Sequence, residues 1–275
     1  MHNWTWQSCE GRSYLTCSLL ESWSHGFFSR DFWPDSPRQL GSIIQPEAQS
    51  YRVKQVHGNE VLSTAAVQAH GQQWAAEAQS AAEAEQGPEF LEADGLYSHG
   101  PAQALWVCTA DCTPVLIADR NQGGVAAVHA GWRGTAAKIV PLALAQMQAQ
   151  GSQLQDIRVA LGPAIGGDVY QVTTAVAAQV VSTVLAPDLL SSARDPDQIA
   201  AMLLQEPNSP LIADQQPGHV RLDVRRVNAM QLEQLGVLPA QIAIAPHCTY
   251  QQPEKFFSYR REQRQQVQWS GIVSR

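Results

Sequence analysis

Apolar residues gather in short runs bounded by Gly, Pro, Asn, Asp and Ser, the pattern of buried strands between turns. Ala104 to Cys108, Pro114 to Ala118, Val125 to His129 and Ile157 to Leu161 are such runs. Asp119-Arg120-Asn121-Gln122-Gly123-Gly124 joins the second run to the third and supplies residues that accept positive φ, which predicts an antiparallel hairpin. Strands are also predicted at Tyr51 to Val56 and Val61 to Val67, paired about a turn that holds His57 at its tip, and the last strand is predicted at Gln241 to Ala245. The first fifty residues read as short strands and turns.

Helical spacing predicts helices over Thr135 to Gln150, bent at Pro141, and over Thr173 to Leu185. A further helix is predicted from an N-cap at Asp223 to Gly236, with Val224, Val227, Leu232 and Leu235 on its buried face. Two stretches break the pattern. Residues near 68–90 are rich in Ala, Gln and Glu with few large anchors, and residues 186–220 scatter Pro, Asp, Ser and Gln, with a short helix near Gln198 to Leu204. Both are predicted to be surface insertions.

The hairpin gives the pattern a chemical consequence. It places Cys112, just before one strand, near His129, at the end of the next, and opposed residues lie roughly 5–8 Å apart. One metal with bonds of about 2.0–2.3 Å fits between such side chains. His57, in Val53-Lys54-Gln55-Val56-His57-Gly58, is the third donor of the right kind. Two imidazoles and a thiolate form a catalytic zinc set with a fourth position open, if His57 arrives from its own part of the chain.

With 275 residues and 44% hydrophobic content, the chain can build a substantial core as one domain or two tightly packed subdomains. A net charge of -7 argues against a broad nucleic-acid surface. Five cysteines in no disulfide framework indicate a reducing, cytoplasmic setting. There is no signal-peptide pattern at the start and no run of about 18 apolar residues, so no membrane association is expected. No obligate protein partner is indicated.

The chain resembles the multicopper polyphenol oxidase/laccase-like family, also called the peptidoglycan editing factor or purine nucleoside phosphorylase family. The resemblance rests on His25-Gly26-Phe27-Phe28-Ser29-Arg30, Gln55-Val56-His57-Gly58, Ala93-Asp94-Gly95-Leu96, Thr109-Ala110-Asp111-Cys112, Val128-His129-Ala130-Gly131-Trp132-Arg133-Gly134, Leu161-Gly162-Pro163-Ala164-Ile165-Gly166 and Phe256-Phe257-Ser258-Tyr259-Arg260-Arg261. These span nearly the whole chain, in the family's order. The resemblance implies an α+β fold of two mixed β-sheets flanked by helices, layered α/β/β/α, as a single domain over residues 1–275. It also implies zinc on His57, Cys112 and His129, with copper as the alternative metal.

Activities implied by the resemblance are phosphorolysis of adenosine, inosine and methylthioadenosine, deamination of adenosine, and editing of peptidoglycan precursors. Nucleoside and phosphate are then the small-molecule partners. The oxidase name fits poorly, because the sequence holds no set of His-rich copper motifs. Asp111 either orients a metal ligand and moves a proton or bonds backbone in its turn, and Asp94 poses the same choice with the turn role favoured. Arg133 either binds phosphate through its planar fork or forms an ion pair. Arg30, Lys54, Arg260 and Arg261 widen the set of anion-binding groups, with Arg30, Lys54 and Arg260 taken as substrate-binding. Phe27, Phe28, Phe256, Phe257 and Tyr259 divide between core and purine-stacking roles. Cys108 and Cys248 read as buried thiols.

Other classes remain in view: an amide hydrolase with Cys112 as nucleophile and His129 as its base, a polyphenol oxidase, and a zinc-stabilised module without activity.

Overall fold

In the computed structural model, which describes residues 2–77, 88–186 and 195–275, the apolar runs become the centres of two mixed six-stranded sheets. The N-terminal strands β1 (Trp4–Cys9), β2 (Arg12–Cys17) and β3 (His25–Phe28) are followed by helix α1 (Pro37–Ile44) and β4 (Gln49–Tyr51). Next come β5 (Val61–Ser63), α2 (Thr64–Glu77), β6 (Gly95–Ser98), β7 (Gln103–Thr109), β8 (Thr113–Asp119) and β9 (Val125–Ala130). After α3 (Trp132–Ala136) and α4 (Ile139–Ala149) lie β10 (Ile157–Leu161), β11 (Gln171–Thr173), α5 (Thr174–Val181) and α6 (Pro196–Leu204). The chain closes through β12 (Leu211–Ala213), β13 (His219–Leu222), α7 (Val224–Gln234), β14 (Ile242–Ile244), α8 (Tyr259–Glu262) and β15 (Gln268–Val273).

One sheet has the order β1-β2-β3-β15-β7-β4 and the other β14-β10-β8-β9-β6-β5. The side-chain period of two explains why both central hairpin strands read as continuous apolar runs. Leu116, Ala118, Val125 and Ala127 face the other sheet and pack with Leu15, Phe27, Leu105 and Ile272. Val115, Ile117, Ala126 and Val128 face the opposite way, onto Ile139, Leu144 and Met147 of α4 and Leu232 of α7. The outer face of the first sheet buries Phe28, Trp106 and Val273 against Leu40 of α1. The layering is therefore α/β/β/α. β11, β13 and β12 make a small third sheet whose apolar face is covered by α5, α6 and the start of α7.

Several predicted elements hold, including the β8–β9 hairpin and the Asp223 cap, whose carboxylate accepts the Arg226 N–H at 3.1 Å. Others move. The predicted hairpin about His57 is absent: β4 pairs with β7 in one sheet and β5 with β6 in the other, so the intervening segment crosses between sheets. The helix predicted to bend at Pro141 breaks earlier, at Lys138 in the left-handed region (φ 57°), because Pro141 falls in the first turn of α4 where its missing N–H costs nothing. The last strand is β15, in the middle of a sheet, rather than Gln241 to Ala245. The 186–220 stretch contributes α6, β12 and the first residues of β13. The 68–90 stretch continues α2 as far as Glu77, and residues 78–87 of that stretch lie outside the described residues. Among the described residues no helix is long and apolar enough to cross a membrane.

Candidate metal centre

The β8–β9 register sets Thr113 opposite Ala130 and Pro114 opposite His129, so the residue before β8 sits beside the end of β9. Asp111 adopts a left-handed turn (φ 89°) that carries Cys112 into this corner. Across from it, a Cβ on Gly131 would stand 2.8 Å from the Cys112 Sγ, so only glycine leaves room for the thiol. His57 arrives on the crossing segment, itself at φ 61°. One donor atom from each of His57, Cys112 and His129 lies within 4.8 Å of the others. The two rings meet edge to face with centroids 4.8 Å apart.

Asp94 holds the group together. Its fully buried carboxylate accepts the backbone N–H groups of Val56, His57 and Gly58 at 3.2, 2.9 and 2.6 Å, and its Oδ1 lies 2.7 Å from His129 Nδ1. One side chain therefore fixes both the loop that delivers His57 and the ring of His129. A proton on Nδ1 toward Asp94 leaves Nε2 for a metal, the arrangement found behind most metal-binding histidines. Burial alone would raise the Asp94 carboxyl, but the His129 ring and the backbone amides hold it below its ordinary value.

The same balance governs the donors. Burial pushes the Cys112 thiol up, yet His129 and His57 outweigh it and bring the thiol down to about 6. Burial pushes His129 down, yet the charge on Cys112 and the bond to Asp94 raise it to about 9. Cys112 and His129 thus each favour the other's charged form.

Gln55 adds a second anchor. Its amide pairs with the backbone of Cys108, donating to the carbonyl at 2.8 Å and accepting the N–H at 2.8 Å, as a strand neighbour would. Asp111 sits next to a donor, but its carboxylate is bonded to the C-terminal segment. Its carboxylate accepts the hydroxyls of Thr249 and Ser258 at 2.6 and 3.0 Å and the Arg260 N–H at 2.7 Å, binding the hairpin corner to the C-terminal segment. The orienting role weighed for Asp111 is filled by Asp94.

The group opens into a cavity of about 450 Å³ lined by Gln55, Cys108, Tyr259, Arg264 and Val267 beside the three donors. His57 is the exposed member of the three and His129 the buried one, so the group is reached from the His57 side. A second chamber of about 40 Å³ shares Cys112 and is walled by Trp132, Ile165 and Tyr170. Arg133 lies over the Trp132 ring at 4.4 Å, and Arg260 over the Tyr170 ring at 4.9 Å while donating to the Gln171 carbonyl at 3.0 Å. Burial, then the charge on Cys112, pushes the Tyr170 phenol up to about 12.

Other nominated residues are committed elsewhere. Arg30 stacks on Phe257 at 4.5 Å, bonds the Pro253 carbonyl and meets Glu262 at 3.4 Å. Lys54 pairs with Glu92 at 2.8 Å on the surface, and Arg261 bonds the carbonyls of Thr249, Tyr250 and Phe256. Phe27, Phe28, Phe256 and Phe257 are core residues, whereas Tyr259 is 54% exposed. Cys248 is buried and accepts the Gly166 N–H at 3.1 Å, while Cys108 is only half-buried and lines the cavity. Sequence reasoning passed over Gln55 and Arg264 and favoured a turn role for Asp94.

A mixed α+β fold whose two sheets are tied by a His-Cys-His group, open on one side to a cavity, defines a protein with a candidate metal-dependent active site. The chain belongs to the family described as multi-copper polyphenol oxidoreductase laccase, whose model matches residues 37–274. It is 47% identical over 272 residues to a purine nucleoside phosphorylase of Synechocystis sp., covering 98% of this chain and 97% of that protein. Among solved structures it is similar to YlmD from Geobacillus stearothermophilus, with a TM-score of 0.74 and 25% identity over 98% of each chain. It shares its fold with Bacillus licheniformis YfiH, at a TM-score of 0.71 and 23% identity over 97% of this chain and 98% of that one.

Proposed function

We propose that this protein is a zinc-dependent purine nucleoside phosphorylase acting on adenosine, inosine and methylthioadenosine. The observation that carries the reading is the His57-Cys112-His129 group at the wall of a nucleoside-sized cavity, in a chain that aligns along nearly its full length with a relative named for that activity. About 450 Å³ falls inside the range of roughly 300–1,000 Å³ typical of small-molecule sites. The mixed nitrogen and sulfur donors suit zinc, and Asp94 is placed to accept a hydrogen bond from a proton on His129 Nδ1 and leave Nε2 for the metal. Zinc held by these three residues would supply a Lewis acid at the cavity wall.

The protein's own residues account for binding. The exposed Tyr259 ring and the side chain of Val267 offer a face for the purine, and Gln55 keeps the donor loop rigid. Arg133 and Arg260 place positive charge beside the shared wall at Cys112 and draw anions toward it. Adenosine deamination is a second activity proposed for the same centre. Asp111, spent on Thr249, Ser258 and Arg260, offers it no free carboxylate.

Zinc-loaded wild type and Cys112→Ala, incubated with adenosine with and without phosphate, test the reading by chromatography and metal analysis. Adenine formed only with phosphate, and lost together with zinc in a folded Cys112→Ala, is the expected result. Inosine in place of adenine would assign deamination alone, and no turnover of any purine nucleoside by zinc-loaded protein would refute the proposal.

The close approach of Cys112 and His129 favours one other reading, an amide hydrolase with Cys112 as nucleophile and His129 as its base. Covalent trapping of Cys112 by an electrophilic peptide analogue during turnover would select it.

A further inference from the structure

We propose that Arg264 is the residue that grips inorganic phosphate in the metal-centre cavity, an assignment that rests on the phosphorylase reading above. Among the described residues, Arg38 and Arg264 are the arginines whose guanidinium makes no hydrogen bond, ion pair or ring contact, and Arg264 is the one that lines the cavity. Every other cation nominated near the site already has a partner: Arg30 and Lys54 in ion pairs, Arg261 on carbonyls, Arg133 and Arg260 on aromatic rings. A planar fork with its donors unspent, facing a cavity that must admit a dianion, is fitted to bidentate binding of phosphate oxygens.

The local backbone explains how the segment that carries Arg264 is held in place. Ser258 caps α8 by accepting the Arg261 N–H and donates its own hydroxyl to Asp111, while the Arg261 guanidinium binds three carbonyls beneath. Gln268 clamps the far side by accepting the Phe257 N–H at 2.9 Å. Between these anchors Gln263 turns into the left-handed region (φ 54°) and ends the helix, which puts Arg264, Gln265 and Gln266 on the cavity rim. The segment is pinned through its base and presents uncommitted polar side chains at its turn. Structural arginines show the reverse, with the guanidinium itself buried in contacts, as in Arg261.

In the reaction, an oxygen of hydrogenphosphate bonds to the anomeric carbon as the C–N glycosidic bond breaks, its electron pair leaving with the purine. The proton of the hydrogenphosphate ends on the purine ring nitrogen, giving free base and ribose 1-phosphate. Arg264 acts by position and charge.

The test uses zinc-loaded wild type, Arg264→Gln and Arg264→Lys, with Arg38→Gln as a control for net charge. Steady-state kinetics are combined with calorimetric titration of inorganic phosphate. Arg264→Gln is expected to raise the KM for phosphate at least tenfold and weaken phosphate binding in parallel, with zinc content and nucleoside KM unchanged. Arg264→Lys should recover part of the loss, because it keeps the charge without the fork. Phosphorolysis by Arg264→Gln with wild-type phosphate KM and binding would overturn the inference and leave the phosphorylase reading standing. Phosphate binding that Arg264→Gln abolishes, in a wild type that cleaves no nucleoside, would keep the Arg264 assignment and remove that reading.

Discussion

At the scale of single residues, what matters most is which polar groups are buried and what they bond. His25 is 6% exposed: its Nε2 accepts the Cys17 N–H at 2.9 Å, and its Nδ1 lies 2.8 Å from the Trp23 carbonyl. That arrangement uses the neutral ring, and burial pushes its pKa below the ordinary value against the opposing pull of the Trp23 carbonyl. As pH falls through about 6.5 the unfolded chain binds a proton that the folded ring refuses. The His25 contribution is therefore fully present above that pH and is lost toward the lower folded pKa. Melting temperature should drop between pH 7 and 5 more steeply in wild type than in His25→Gln, and parallel slopes would show that His25 is not responsible. Asp94 teaches a related lesson. Its sequence context, Ala93-Asp94-Gly95, reads as a turn, and nothing there reveals four hydrogen-bond donors from two other segments.

At the scale of elements, local signals located β8, β9, β10 and α7 because each element's own periodicity records its burial. They failed for β15. Its sequence, Gln268-Trp269-Ser270-Gly271-Ile272-Val273, is short, polar at its start and interrupted by glycine, yet it forms the seam between β3 and β7. Gly271 is required there, since a Cβ would lie 2.5 Å from the Trp106 ring of the neighbouring strand. Gly271→Ala should destabilise the protein by about 1–3 kcal/mol, the usual cost of overpacking, as read by chemical denaturation. A change within experimental error would mean that β7 and β15 separate freely, contrary to their close packing. α1 was legible but overlooked: Ser36, Pro37 and Gln39 are start signals, and the Gln39 amide accepts the Ser36 N–H at 2.8 Å.

At the scale of the whole molecule, the centre joins the two sheets through side chains that each contributes. Cys112 and His129 belong to one hairpin, while His57 comes from the segment that leaves β4 in the other sheet. A ligand bound to the folded state alone stabilises it by mass action, about 2.7 kcal/mol at a hundredfold excess over the dissociation constant. Zinc should therefore raise the melting temperature of wild type by several degrees, chelation should reverse the rise, and Cys112→Ala should show neither effect. An equal rise in Cys112→Ala would place the bound metal elsewhere.

By itself the sequence determined the donor types, the β8–β9 hairpin that brings Cys112 near His129, and the run of motifs that marks the family. Periodicity and turn chemistry are written residue by residue, so those features needed no distant partner. Only the tertiary structure decided that His57 reaches the hairpin, that Asp94 rather than Asp111 steadies it, and that Arg264 is left free over the cavity while Arg30 and Lys54 are spent. Each of those outcomes depends on which of many equivalent polar groups meets which in space, and that competition is settled by packing of segments far apart in the chain.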